Sequence, residues 1–326
     1  MSYDALLVLS FGGPEGPDDV IPFLENVLRG RNVPRERMLE VAEHYYHFGG
    51  HTPINDHNRA LIAALKPLVP LPIYWGNRNW HPLLADTLRQ MRADGVRNAL
   101  CFVTSAFSSY SGCRQYREDI DRARADLGEG APEITKLRAY FNHPGFIDTM
   151  VERVRDVWPA DGAELVFTAH SIPVSMAEGA RYVAQLEDAS RTVAERIGAE
   201  RWTLVYQSRS GPPLQPWLAP DIGDWLRGYR GTRPVACVPI GFLSDHMEVI
   251  WDLDHEAKQI ADELGIDFRR AGTAGTHPSF VETVAELVAE KLTGAAARFV
   301  GPLGLEPMQC SGTCCPAPQR PPKAGV

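Results

Sequence analysis

Residues 5–14 read Ala5-Leu-Leu-Val-Leu-Ser-Phe-Gly-Gly-Pro14, an unbroken apolar run that ends at a glycine pair. A short run of this kind, closed by a turn signal, predicts a buried strand rather than the first turns of a helix. Helical patterning resumes over residues 18–28, so the opening unit is a strand followed by a helix. Working outward, the same unit recurs. Strand-like runs at 5–10, 72–75, 99–105 and 134–139 are followed by a second set at 165–169, 203–207, 235–240 and 267–269. Helices are expected over 18–28, 60–65, 83–93, 113–126, 144–157, 181–197, 222–229, 245–264 and 278–292. This alternation predicts an α/β fold with parallel sheets. Two successive sets of four strands predict two doubly wound, Rossmann-like domains with a cleft between them. The expected boundaries are 1–138 and 139–272, with a C-terminal helix and cysteine-bearing tail, 273–326, packing back on the first domain. Sites in such folds lie at the carboxyl ends of the strands.

The chain has 326 residues, enough for two cores, and its 44% hydrophobic and 23% charged content is that of an ordinary globular protein. A net charge of -8 argues against a broad nucleic-acid surface, which needs clustered Lys and Arg. No apolar run approaches the roughly 20 residues that span a bilayer. No basic or Ser-rich leader precedes the first strand, so the expected compartment is the cytoplasm.

Two stretches carry the chemistry. In Val166-Phe-Thr-Ala-His-Ser-Ile-Pro173 a buried-strand pattern delivers His170 at its carboxyl end. In Ser244-Asp-His-Met-Glu-Val-Ile-Trp-Asp-Leu-Asp-His-Glu256 the acids Glu248, Asp252 and Glu256 recur every fourth residue. On a helix they share one face, where like charges cost roughly 0.2–0.5 kcal/mol per pair. Asp245 reads as a helix cap and Glu248 as the closing residue of a capping box. That accounts for neither Asp252 nor Glu256, which lie further in. Because the helix from Asp245 follows the strand at 235–240, Glu248 is expected on the same sheet edge as His170. Imidazole facing carboxylate can bind a divalent cation or exchange protons near neutral pH. No His-Glu-x-x-His spacing is present, so a transient metal is expected over a firmly held one. Gly12-Gly13 lacks the rest of any nucleotide-binding signature and reads as a tight turn.

The six cysteines divide into two groups. Cys101 and Cys237 sit within apolar strand runs and read as core. Cys310, Cys314 and Cys315 lie in a Pro- and Gly-rich tail that cannot build a core of its own, and Cys113 is the natural fourth member. Four thiolates suit an iron–sulfur cluster or a structural zinc ion.

In combination these features resemble ferrochelatase, which inserts ferrous iron into a porphyrin in haem synthesis. The ordered motifs are Leu9-Ser-Phe-Gly-Gly-Pro14, Gly49-Gly-His-Thr-Pro-Ile54, Tyr74-Trp-Gly-Asn-Arg-Asn-Trp-His-Pro82, Thr168-Ala-His-Ser-Ile-Pro173, Gln207-Ser208 with Pro216-Trp217-Leu218, and Ser244-Asp-His-Met-Glu248. The resemblance implies a chelatase-like fold, with His170 and Glu248 as paired metal-site residues and Asp252 and Glu256 as an acidic conduit. It implies porphyrin contacts from Phe11, Tyr45, Thr52 and Tyr116, with Arg29, Arg31 and Arg78 as candidates for propionate or backbone roles. Phe11 lacks the phenolic oxygen that some bacterial relatives place there, and Leu28 stands where coproporphyrin-using relatives carry a basic residue. The run Ser111-Gly-Cys-Arg-Gln-Tyr116 with the tail resembles the actinobacterial form, which implies a 2Fe-2S cluster on Cys113, Cys310, Cys314 and Cys315. It also implies coproporphyrin III as substrate, with protoporphyrin IX the close alternative, and a monomer. Two further alternatives are a sirohydrochlorin chelatase and a non-catalytic haem or iron–sulfur sensor.

Overall fold

A computed structural model describes residues 2–30, 33–211, 214–307 and 310–318. Eight strands among them form two four-stranded parallel sheets. The first contains β1 (Ala5–Ser10), β2 (Ile73–Asn77), β3 (Asn98–Val103) and β4 (Glu133–Lys136), in the spatial order β2-β1-β3-β4. The second contains β5 (Glu164–His170), β6 (Trp202–Gln207), β7 (Val235–Val238) and β8 (Phe268–Arg270), in the equivalent order β6-β5-β7-β8. Each set of four strands thus forms its own sheet. All six residues of β1 are buried, because helices cover both faces of a parallel sheet and leave no solvated side for polar residues. Cys101 and Cys237 are fully buried in β3 and β7.

The sheets are not independent bodies joined by a string. One apolar cluster runs from Leu6, Val8 and Phe102 through Phe146 and Phe280 to Phe167 and Val238. The helices Pro144–Arg155 and Pro278–Leu292 supply its middle layer. Buried Arg138, just after β4, donates from Nε and Nη2 to both carboxylate oxygens of Glu290 at 2.9 and 2.7 Å. Asn142 holds the C-terminal segment, accepting from Val300 N at 2.9 Å and donating to Gly304 O at 2.7 Å. A shared core and a paired buried charge hold the two sheets in one packed body.

Two helices fall outside the sequence expectation, Arg35–His47 and Val174–Glu178. The first buries only Met38 and Ala42, so it offers little apolar periodicity to read, and the second is a single turn. The acidic stretch corrects the expectation of a uniform helix. It starts as Met247–Val249, widens into a π-helical segment over Ile250–Ala257, and returns to α over Lys258–Glu263. Its N-cap is His246, whose Nδ1 accepts from Glu248 N at 3.2 Å, and not Asp245. No helix among the described residues is long and apolar enough to cross a membrane.

Candidate metal and porphyrin site

The carboxyl ends of β5 and β6 and the segment after β7 meet at one edge of the second sheet. His170 ends β5, and its Nδ1 donates to Ser171 O at 2.5 Å. That bond leaves Nε2 as the free acceptor, pointing at Glu248 Oε2 across 3.6 Å. Tyr182 Oη braces the same residue by donating to His170 O at 3.0 Å. Glu248 keeps about half its side chain open (48%), so the pair is reached from solvent and is not sealed in the core. Burial holds His246 toward its neutral form, which keeps Nδ1 available for the Glu248 amide.

One turn deeper, Asp252 Oδ2 accepts from Gln207 Nε2 at 3.2 Å and from the Ser208 hydroxyl. Burial pushes the Asp252 carboxyl up to about 7; the Ser208 bond opposes this, and the charges of Glu248 and Glu256 add to it. Ser208 has φ 61°, a left-handed backbone that a non-glycine residue adopts at a cost. The strain aims its hydroxyl at Asp252. Glu256 lies a further turn along and is exposed. The row therefore runs from the open Glu248 through the enclosed Asp252 to the solvent-facing Glu256. Wide turns of the π type, rare elsewhere, occur often at functional sites.

The first domain supplies the facing wall. Phe11, directly after β1, is partly exposed and packs edge-on against Phe23 at 6.2 Å, and Tyr45 also packs edge-on with Phe23, at 5.8 Å. Burial raises the Tyr45 phenol well above its usual value, and the Glu248 charge adds to the shift. Thr52 is buried, and its Oγ1 accepts from Met247 N at 3.1 Å, fastening the first domain to the start of the acidic helix. Arg78 is ion-paired with Asp119 and lies over the Tyr116 ring at 4.5 Å; Tyr116 itself is buried. Arg78 and Tyr116 are therefore tied to each other and to Asp119. Arg29 is exposed beside Asn26. Arg31 lies outside the described residues.

The four remaining cysteines gather where the C-terminal tail meets the turn Tyr110–Arg114 after β3. Cys113 accepts hydrogen bonds from the thiols of Cys310 and Cys315, and Cys310 also contacts Cys314. Those bonds, with Lys136 and Arg117 nearby, hold Cys113 toward its thiolate and push Cys310 and Cys315 up. Arg117 Nη2 reaches Cys314 Sγ at 3.4 Å, while the buried Arg117 Nε has no hydrogen-bond partner. A cavity of about 420 Å3 adjoins the thiols and is lined by Arg114, Arg117 and Lys136. No three His, Cys, Asp or Glu side chains among the described residues surround a single metal-ion position.

Sequence reading left several of these residues without a role. Gln207 and Ser208 stood in a motif but pointed to nothing until their contact with Asp252 was seen. Arg270 carried no signal, because its partners lie 16 and 25 residues away.

Two four-stranded parallel sheets, with an imidazole and an acidic row at the carboxyl edge of the second, make an α/β protein equipped to hold a cation and exchange protons. The family model for ferrochelatase matches residues 3–292. A protein named ferrochelatase from Rhodopirellula baltica is 55% identical over 99% of this chain and 96% of its own length. One named coproporphyrin III ferrochelatase from Nocardia farcinica is 52% identical over 99% of each chain. Among solved structures, SirB from Bacillus subtilis with Fe3+ superposes at a TM-score of 0.59 over 92% of this chain and all of its own, at 11% identity, a likeness of fold alone. The chain belongs to the ferrochelatase family, lyases that insert ferrous iron into a porphyrin in haem biosynthesis.

Proposed function

We propose that the chain inserts ferrous iron into coproporphyrin III, with His170 and Glu248 handling the metal and the pyrrole protons. The observation that carries this reading is the pair itself, Nε2 and Oε2 standing 3.6 Å apart at the cleft. Two donors each roughly 2 Å from one cation can stand at that separation. Neither is a soft ligand, and two donors replace only part of the water shell of ferrous iron, so the ion can still be released to the macrocycle. Insertion exchanges one dication for two pyrrole protons. His170 Nε2 accepts one, and Glu248 the other. Asp252, titrating near neutrality, passes protons on toward Glu256 and solvent, the role we assign to the conduit. On the facing wall, Phe11 and Tyr45 provide apolar contact to the macrocycle, Arg29 meets a propionate, and Arg78 with Tyr116 and Thr52 supports the wall. The 52% identity to a protein named coproporphyrin III ferrochelatase supports the choice of porphyrin. The proposed setting is a monomer in the cytoplasm with no nucleic-acid partner. Anaerobic insertion assays with coproporphyrin III and protoporphyrin IX test the substrate, with coproporphyrin expected to give the higher kcat/KM. A preference for protoporphyrin overturns it.

We further propose that Cys113, Cys310, Cys314 and Cys315 hold a 2Fe-2S cluster. The four thiols lie close enough to act on one another, Cys310 and Cys315 on Cys113 and both on Cys314, and four thiolates are the ligand set that a 2Fe-2S core takes. Arg117, with one nitrogen on Cys314 and another buried without a partner, can donate to sulfur and offset thiolate charge. When bound, the cluster would supply the covalent tie that an apolar-poor tail lacks. Protein purified without oxygen should show sulfide-to-iron charge-transfer bands; colourless protein with stoichiometric zinc overturns the assignment.

A further inference from the structure

Five acids occupy residues 245–256, yet only Glu248, Asp252 and Glu256 belong to the row that leaves His170. The other two, Asp245 and Asp254, close on a single cation. Arg270, the last residue of β8, donates from Nη1 to Asp245 Oδ1 at 2.6 Å. The same guanidinium donates from Nε and Nη2 to the two oxygens of Asp254 at 2.8 and 2.5 Å. The arginine side chain is mostly enclosed (18% exposed), and its backbone is in register with Cys237 in the buried centre of the sheet. A rigid strand is thereby bolted to the acidic segment both before and after Glu248.

We propose that Arg270 is the positioning residue of the iron site, an inference that rests on the His170–Glu248 reading. It acts in two ways. The segment Ile250–Ala257 is π-helical, a form that seldom persists without support from its surroundings. Held ahead of the π-helical turns at Asp245 and within them at Asp254, the acidic stretch keeps Glu248 toward His170 and Asp252 toward Gln207 and Ser208. The clamp also sorts the charges. The single guanidinium charge offsets half of that on Asp245 and Asp254, so the larger share of the uncompensated field lies along Glu248, Asp252 and Glu256, and a dication is drawn to that row. Arginine suits this task and lysine does not, because only the planar fork reaches one carboxylate with two donors and a second with another.

The experiment is anaerobic steady-state insertion with separate variation of ferrous iron and porphyrin, for wild type, R270Q, R270K, D254N and H170A, with melting midpoints alongside. A misplacement of about 1 Å costs roughly 10²-fold in rate, and R270Q should lose kcat on that order. Its porphyrin KM should stay near wild type while its iron KM rises. R270K should recover only part of the rate. D254N, which removes the bidentate contact alone, should fall between wild type and R270Q at a near-normal melting midpoint. Should R270Q not fold, D254N decides: lower kcat with unchanged porphyrin KM supports the clamp, and wild-type kcat overturns it. A parallel loss of porphyrin binding and melting midpoint in both variants would also overturn it, as loss of general stability. Undiminished turnover by H170A would remove the site reading itself, whereas an inactive H170A with normal R270Q and D254N would remove only the clamp.

Discussion

The two sheets share one strand order, but their carboxyl edges carry different chemistry. The first sheet ends in Phe11, the glycine turn and Arg78, whose guanidinium is spent on Asp119. The second ends in His170, Gln207, Ser208 and the acidic segment, nearly all of it able to accept or pass a proton or cation. In the proposed function a repeated scaffold divides one reaction, the first copy offering a wall to a flat macrocycle and the second handling the ion and the protons. The difference lies in the segments that leave the strands and not in the strands, which agrees with the general rule that loops at strand ends carry function.

Breaking the second edge should therefore affect rate, and breaking the first should affect affinity. The largest effect is expected from His170→Ala and Glu248→Gln, each lowering kcat by about 10²–10⁴-fold, the range of a lost acid–base group. Rapid anaerobic insertion assays check this, and near-normal turnover by both variants would dissolve the division of labour. Asp252→Asn should cost less, about tenfold at neutral pH, because a relay can be partly replaced by water. Its pH profile is the sharper measurement. With the carboxyl raised to about 7, the wild-type rate should climb as pH rises through 7, and the variant should lack that limb. Stability moves the other way. Between about pH 4 and 7 native Asp252 retains a proton that the unfolded chain has released, so the wild type loses stability as pH rises across that window. Asp252→Asn should melt higher than wild type above pH 7 and show a flatter pH dependence.

How far the division was legible beforehand depends on the kind of signal. The strands could be read because each is a short, nearly continuous apolar run, and that pattern has few other meanings at such length. The helix Arg35–His47 could not, since its residues are mostly solvated and only Met38 and Ala42 report a core. Glu248, Asp252 and Glu256 were legible as a row because fourth-residue spacing keeps side chains close on both α and π turns. For the same reason the widening over Ile250–Ala257 left no trace in the spacing. Asp245 had the composition of a cap but was claimed by Arg270, a partner that only the pairing of β7 with β8 brings near. Ser208 owes its place to a backbone angle, which no residue type announces.

The cysteine group sharpens the comparison from a third place in the fold. Cys113→Ser should abolish the charge-transfer absorbance and lower the melting midpoint by several degrees, as expected for losing about 1–2 kcal/mol in a chain of this size. If the tail only fastens the first domain, kcat should fall far less than for His170→Ala. A rate loss equal to that of the metal-site variants would tie the cluster to the chemistry and blur the boundary drawn between the two edges.

The smallest effect belongs to the first edge itself. Phe11 is partly exposed and has no hydrogen-bonding side-chain atom, so its contribution to a bound porphyrin is apolar contact alone. Removing that ring should weaken binding by about 1 kcal/mol, near a fivefold rise in porphyrin KM, with kcat little changed. The backbone should be unaffected, because Phe11 O still accepts from Asn79 N at 3.1 Å whatever side chain it carries. The discriminating quantity is the split between the two constants. A Phe11→Ala protein whose kcat drops while KM holds would mean that the first sheet strains or orients the macrocycle in the transition state, and the wall would then be part of the chemistry it faces.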